Sequence, residues 1–256
     1  MTTATALAPS APSITVACPT INDVFNEFFK EQQERFSAAT AGKCADVLTL
    51  LSMSLDGYGY MRLDDDERTL WSERWEQDEE EGAFCNTFGP EKVAGEIRGF
   101  LGYFLIRKVM GPQETINGAG TVIKKLASWM RERGYIGVED TELMRVLGAR
   151  AAKVLPRADK LCRMLSDLKP GLFCSIPEAS IIEVWEPYGA TISRIEPGKL
   201  WFNDDGSKNK TEVGPVKVPK EASELAELGW QLGALRLGRT NSGWQIIEKG
   251  FVYPPI

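Results

Sequence analysis

The chain contains no histidine. That absence excludes Ser-His-Asp and Cys-His nucleophile systems and any histidine-ligated zinc or iron centre, so catalysis would have to rest on carboxylates, Lys, Tyr, Cys or Arg. No apolar run reaches the roughly 18 residues that a membrane-spanning helix needs, and no membrane partner is expected. The five cysteines, Cys18, Cys44, Cys85, Cys162 and Cys174, are odd in number and far apart, without metal-ligand spacing. No metal or other cofactor is therefore expected, and a reducing cytoplasm is the expected location. The first nineteen residues carry no charge and are rich in Ala, Thr, Ser and Pro, without the basic start and apolar centre of a secretion signal. A disordered tail over 1–19 is expected.

What is present has the composition of a globular protein. With 43% hydrophobic and 26% charged residues, wholesale disorder is excluded. The net charge of −6 disfavours indiscriminate nucleic-acid binding, so any such contact must be local. The acid is concentrated in the first part of the chain, above all at Asp64–Asp66 and Asp78–Glu81.

Apolar spacing predicts an α+β protein, with an N-terminal helical bundle over 20–137, connecting helices over 138–170 and a small β-barrel over 171–256. Ile21, Val24, Phe25, Phe28 and Phe29 mark an opening helix from Thr20 to Phe36. A second helix is expected from about Gly42 to Leu55, a short acidic one after Asp64, and another from Pro90. Two helices follow Ile136, with Pro156 expected to break or kink them. After Pro170 the β-branched runs Ile181–Trp185 and Thr191–Ile195 read as strands, followed by Lys199–Phe202 and Val213–Val218. A short helix over Pro219–Leu228 then precedes a hairpin of Gly229–Leu237 and Trp244–Tyr253. That order fits a closed barrel of the oligonucleotide-binding type or an SH3-like one.

The stretch FLGYFLIRKVMGPQETINGAGTVIKKLASWMRERGYI, from Phe100 to Ile136, predicts a packed helical hairpin. Phe100, Leu101, Phe104, Leu105 and Val109 form one apolar stripe, and Ile116, Ala119, Ile123, Leu126 and Met130 form the other. Gly111 and Pro112 separate the two runs, and Gly134 is placed to close the second. The hairpin carries Arg107, Lys108, Lys124, Lys125, Arg131 and Arg133, a basic island in an acidic chain. Such an island could contact phosphates, or be a solvated face with last-turn cations that complement the helix dipole.

The opening helix FNEFFKEQQERFSAAT, the later FLGYFLIRK and the closing LASWMRERGYI give the helical half a pattern that resembles the SAM-like core-binding domain of tyrosine recombinases and phage integrases. The resemblance implies a helical bundle that presses on DNA. The catalytic domain of that family requires a His-x-x-Arg motif, which a chain without histidine cannot supply, so the resemblance implies no strand cleavage here.

In the C-terminal half, Trp201, Phe202, Trp230, Trp244 and Tyr253 could supply a platform for unpaired bases, with Lys208, Lys210, Lys217 and Arg239 tracking the backbone. Alternation along strands puts roughly half of such aromatics in a core. Asn117-Gly118-Ala119-Gly120 lacks phosphate-loop spacing and reads as close helix packing. The expected function is non-enzymatic, a nucleic-acid-binding or nucleic-acid-associated adaptor using DNA or RNA, with a protein scaffold as the alternative. The expected nucleic-acid contacts are Arg107, Lys108, Lys124, Lys125, Arg131, Arg133, Lys208, Lys210, Trp201 and Trp244.

Overall fold

The structure, a computed structural model, describes residues 19–77, 82–108, 113–168, 180–206 and 211–256. The tail expectation, Gly111 and Pro112, the Asp78–Glu81 acids, Lys208 and Lys210 lie outside these residues.

Helix α1 spans Ile21–Arg35 and begins with a capping box. The Asp23 amide donates to the Thr20 hydroxyl at 3.2 Å, and the Thr20 amide donates to the Asp23 carboxylate at 2.9 Å, satisfying two amides that a helix start leaves free. Helix α2 (Ala38–Tyr58) buries Val47, Leu51 and Leu55 against the apolar face of α1. The acidic α3 (Asp65–Gln77) is largely exposed. The short α4 (Ala83–Thr87) is held by Asp56, whose carboxylate accepts the amides of Phe84 and Cys85 at 3.1 and 2.9 Å.

Helix α5 (Val93–Gly99) passes through a π-helical turn at Phe100–Phe104 into α6 (Leu105–Arg107), and Phe100, Leu101, Phe104 and Leu105 are all buried as their spacing predicts. Helix α7 (Gln113–Glu132) ends where expected. Gly134 takes φ +77°, the Tyr135 amide bonds back to the Met130 carbonyl at 2.9 Å and the Gly134 amide to Arg131 at 3.1 Å, which is a Schellman closure.

The expected hairpin, however, does not form as a packed pair. α7 lies chiefly along α8 (Val138–Asp167) and next on α2, not back along α5 and α6. Glycine is the reason for that choice. A Cβ on Gly120 would stand 2.5 Å from the Ala152 amide, and one on Gly148 would stand 2.7 Å from the Gly120 carbonyl. Only bare backbone permits this approach, as the Asn117–Gly120 stretch suggests for its last residue; Gly118 faces open space.

Helix α8 also corrects the reading of Pro156. It runs unbroken through this proline for 30 residues, about 45 Å at the usual rise. Residues up to Leu155 pack into the bundle core, while Val154, Ala158, Leu161 and Leu165 pack into a second core beneath the sheet. Pro156 thus sits where the helix passes from one core to the other, and burial on both sides holds the helix despite the lost hydrogen bond.

The strands are β1 (Glu183–Trp185), β2 (Ala190–Glu196), β3 (Lys199–Asp204), β4 (Val213–Lys217), β5 (Gln231–Leu232), β6 (Arg236–Thr240), β7 (Gly243–Glu248) and β8 (Val252–Tyr253), with α9 (Lys220–Leu225) after β4. β2 and β3 join through Pro197-Gly198, with Gly198 at φ +75° as the third position of such a turn demands. The last hairpin turns at Asn241-Ser242, so Arg239 belongs to a strand and not to the turn expected there.

All eight strands form one mixed sheet in the order β1-β6-β7-β4-β3-β2-β5-β8, antiparallel except for β4 with β7. The expected barrel is corrected here, because among the described residues β1 and β8 are free edges of an open sheet. Its apolar face has no need to close on itself. The second half of α8 packs into that face, Leu161 and Leu165 sharing one buried core with Ile192, Leu200, Phe202 and Trp230.

The bundle and sheet are also tied at the end of the chain. Arg98 donates to the Ile256 carbonyl, Arg150 Nε to the Pro255 carbonyl at 3.3 Å, and the Tyr103 and Tyr253 rings stack 6.4 Å apart. Among the described residues no helix is long and apolar enough to cross a membrane.

Candidate nucleic-acid interface

The close approach of α7 and α8 shapes a cleft beside the end of α1. Drawing the two helices together lays the stem of Lys124 across Gly148, so this lysine is half-buried and lines the gap. Arg35 and Phe36 come in from the end of α1, Lys125 from α7 and Arg145 from α8. The cleft measures about 500 Å³ and opens to solvent.

Four cations line this cleft against a single carboxylate, Glu132. Among the described residues none of Arg35, Lys124, Lys125 and Arg145 forms an ion pair. Lys125 rests its ammonium 4.3 Å above the centre of the Phe36 ring, which is itself 40% exposed. That contact is worth roughly 0.5–1 kcal/mol at an exposed site and leaves the charge uncancelled. Below it the Cys44 thiol is pushed up to about 11 by burial, with the Lys125 charge pulling the other way, and stays protonated near neutral pH.

The floor of the cleft is fixed by a knot of polar contacts at the next turn of α7. Trp129 is buried against Phe28, with ring centres 5.3 Å apart, and its indole donates to Glu31 at 2.9 Å. Arg133 pairs with Glu27 at 2.7 Å and with Glu31, and lies over the Trp129 ring. Tyr135 donates to the same Glu27 at 2.5 Å. Arg133 is therefore committed to holding α1 on α7, and Glu27 and Glu31 are spent on it.

The rest of the basic island is dispersed. Arg107 sits at the bundle–sheet junction, 6.0 Å above the Tyr103 ring and beside Tyr253, and these phenols hold its guanidinium above the usual arginine range. Lys108 is exposed past the end of α6, and Arg131 is exposed on α7. Only Lys124 and Lys125 of the six reach the cleft. Arg35 and Arg145 were missed by sequence reasoning; each stands alone among acidic neighbours in the chain, and only the packing of three helices collects them.

The aromatic platform is likewise divided. Trp201 neighbours Leu200 on β3, while Val216 of β4 pairs with both Leu200 and Trp244. Pairing partners share a face and successive residues do not. Trp244 thus points toward the core and Trp201 away from it, buried beneath the Arg194 guanidinium at 4.4 Å and against Gly214. These two rings cannot stack on one strand of bases together.

The titratable groups with displaced ionisation elsewhere in the bundle are occupied by structure. Burial raises Asp56, against the amides it caps, and burial likewise raises the Cys85 thiol, with Asp56 beside it adding to the effect. Burial raises Glu96, with Arg62 at 3.2 Å opposing it. Among the described residues no three His, Cys, Asp or Glu side chains converge as metal ligands. No family model matches this chain, and neither a curated protein nor a solved structure does.

Proposed function

We propose that this protein is a non-enzymatic nucleic-acid-binding protein and that its contact surface is the cleft between α1, α7 and α8. One observation carries the reading: four cations from three helices converge without ion pairs in a chain whose net charge is −6. Their convergence makes a local patch of positive charge in an acidic chain, and a polyanion is the partner that gains most from it by releasing its condensed counterions. The half-exposed Phe36 ring adds a surface on which an unpaired base can stack. The resemblance of the helical half to recombinase core-binding domains includes α1 and α7 of this cleft.

Fluorescence anisotropy with labelled single-stranded and double-stranded oligonucleotides tests this reading. Affinity should fall between about 50 and 200 mM salt, and each engaged cation should add about 0.9 to the slope of log affinity against log salt on duplex DNA. Lys124→Glu with Arg145→Glu should abolish binding, whereas Arg107→Glu at the distant junction should leave it intact. A single-strand preference lost in Phe36→Ala would identify stacking. Absence of binding at the lowest salt overturns the proposal.

A second reading, a protein-docking scaffold, draws on the exposed acids of α3 together with Met61 and Leu70, exposed at 58% and 46%. A partner bound through that surface would be indifferent to charge reversal in the cleft.

A further inference from the structure

Lys249 is the one charged side chain of the buried interior among the described residues, at 7% exposure. Burial of an ammonium is costly unless polar atoms replace the water it gives up. Its Nζ donates to the Gly250 carbonyl at 3.1 Å and stands 3.0 Å from Sγ of Cys162. The two residues are 87 positions apart in sequence. Cys162 lies on the sheet-facing half of α8, and Lys249 lies between β7 and β8, so the contact bridges the helix and the C-terminal strands. Cys162 is only half-buried, while Cys44 and Cys85 are buried.

An amine nitrogen held 3.0 Å from the sulfur of a half-buried cysteine needs one bridging oxygen atom to become covalent. We propose that Cys162 and Lys249 form a redox-sensitive pair that peroxide converts into an S–O–N cross-link between α8 and the C-terminal strands. The first peroxide transfers one oxygen to Sγ, giving the sulfenic acid and releasing water. The Lys249 ammonium gives one proton to solvent; a second peroxide then takes the sulfenic hydrogen, one hydrogen from the resulting amine and two electrons, leaving as two waters while the O–N bond closes. Sulfur and nitrogen each lose two electrons, and the two peroxides accept all four. Two equivalents of a dithiol reverse the change, returning thiol, amine and one water.

The bond would fasten α8 to the C-terminal strands within the second core, beyond Pro156, so the seat of α8 on the sheet would be fixed under oxidising conditions and free under reducing ones. The full chain treated with hydrogen peroxide, quenched with catalase and mapped with trypsin tests this. Leu161–Arg163 should disappear as a separate peptide and be found joined to Thr240–Ile256, because the bridged Lys249 is no longer a cleavage site. The joined species should weigh the sum of its parts plus one oxygen atom less two hydrogen atoms, and dithiothreitol should restore the separate peptides. Cys162→Ser and Lys249→Gln should each abolish it. Oxidation of Cys162 to sulfenic, sulfinic or sulfonic acid with cleavage at Lys249 intact, or a Cys162 that stays reduced, overturns the proposal. The wild-type map decides the matter even where Lys249→Gln does not fold.

Discussion

Helix α8 carries its cations into two different settings. Arg145, on its first half, faces the cleft unpaired, whereas Arg150 and Arg157 further along both bind Glu227, the former at 2.9 Å. Lys160 pairs with Glu221, and Arg163 with Asp159 at 2.6 Å. All are cations; what differs is whether a carboxylate comes within reach, from a neighbouring element or, for Arg163, from α8 itself. At the sheet junction the segment around α9 provides one. At the cleft Glu27 and Glu31 are taken by Arg133, Trp129 and Tyr135, which leaves Arg35, Lys124, Lys125 and Arg145 with Glu132 alone. A charge becomes available to a ligand when packing uses up its potential partners.

The contrast can be broken most strongly by forcing α7 and α8 apart. Gly120→Ala puts a methyl group against the backbone of α8, and overpacking of this kind costs about 1–3 kcal/mol. Thermal unfolding should show the loss, and oligonucleotide binding should weaken with it as Lys124 and Arg145 separate. Gly118→Ala, which meets open space on the same helix, should instead stabilise by about 0.5–1 kcal/mol. Equal effects at the two glycines would show that the close approach does not hold the helices.

A smaller change makes the cleft resemble the junction. Ser128→Glu places a carboxylate in the cleft one turn after Lys124. Neutralising one contacting cation should lower oligonucleotide affinity about tenfold at about 50 mM salt and reduce the salt slope by about one, with no loss of stability.

The smallest effect comes from the opposite operation. Glu227→Gln removes the shared partner of Arg150 and Arg157 at a partly exposed site, where about 1 kcal/mol is expected. Stability should fall by that amount in denaturant titration while oligonucleotide affinity stays unchanged. Acid should act in the same direction. Burial opposes ionisation of Glu227, but Arg150 and Arg157 hold it below the usual carboxylate value of 4.5. Its contribution is therefore complete above that value and disappears as pH falls through the lower, folded-state one. A variant whose acid response matches the wild type would remove Glu227 from this account.

Much of this architecture was legible in the chain. The apolar stripes of α1 and α7, the second helix around Gly42–Leu55 and the closing Gly134 are local signals, and each is found in place. Pro156 misled because a helix propensity is a local quantity, whereas the two cores that flank this proline are assembled from residues far apart in sequence. The barrel expectation failed for a related reason: extended segments were legible along the chain, but not their order in the sheet, nor that α8 would pack on the apolar face and remove the need for closure. Of the candidate contacts, Lys124 and Lys125 share a helix and so could be placed together from spacing. Arg107 could not be separated from them, since only the preference of α7 for α8 moves it to the junction.

The sequence by itself determined where the chain would be helical and where extended, because a period of 3.6 or 2 in apolar residues is dictated by backbone geometry. It also excluded histidine chemistry outright. Only the tertiary structure decided which cations would meet and which would be neutralised. Charge pairing acts over a few ångströms, and residues as distant in sequence as Glu27 and Arg133, or Arg150 and Glu227, come within that range only when helices and strands have packed.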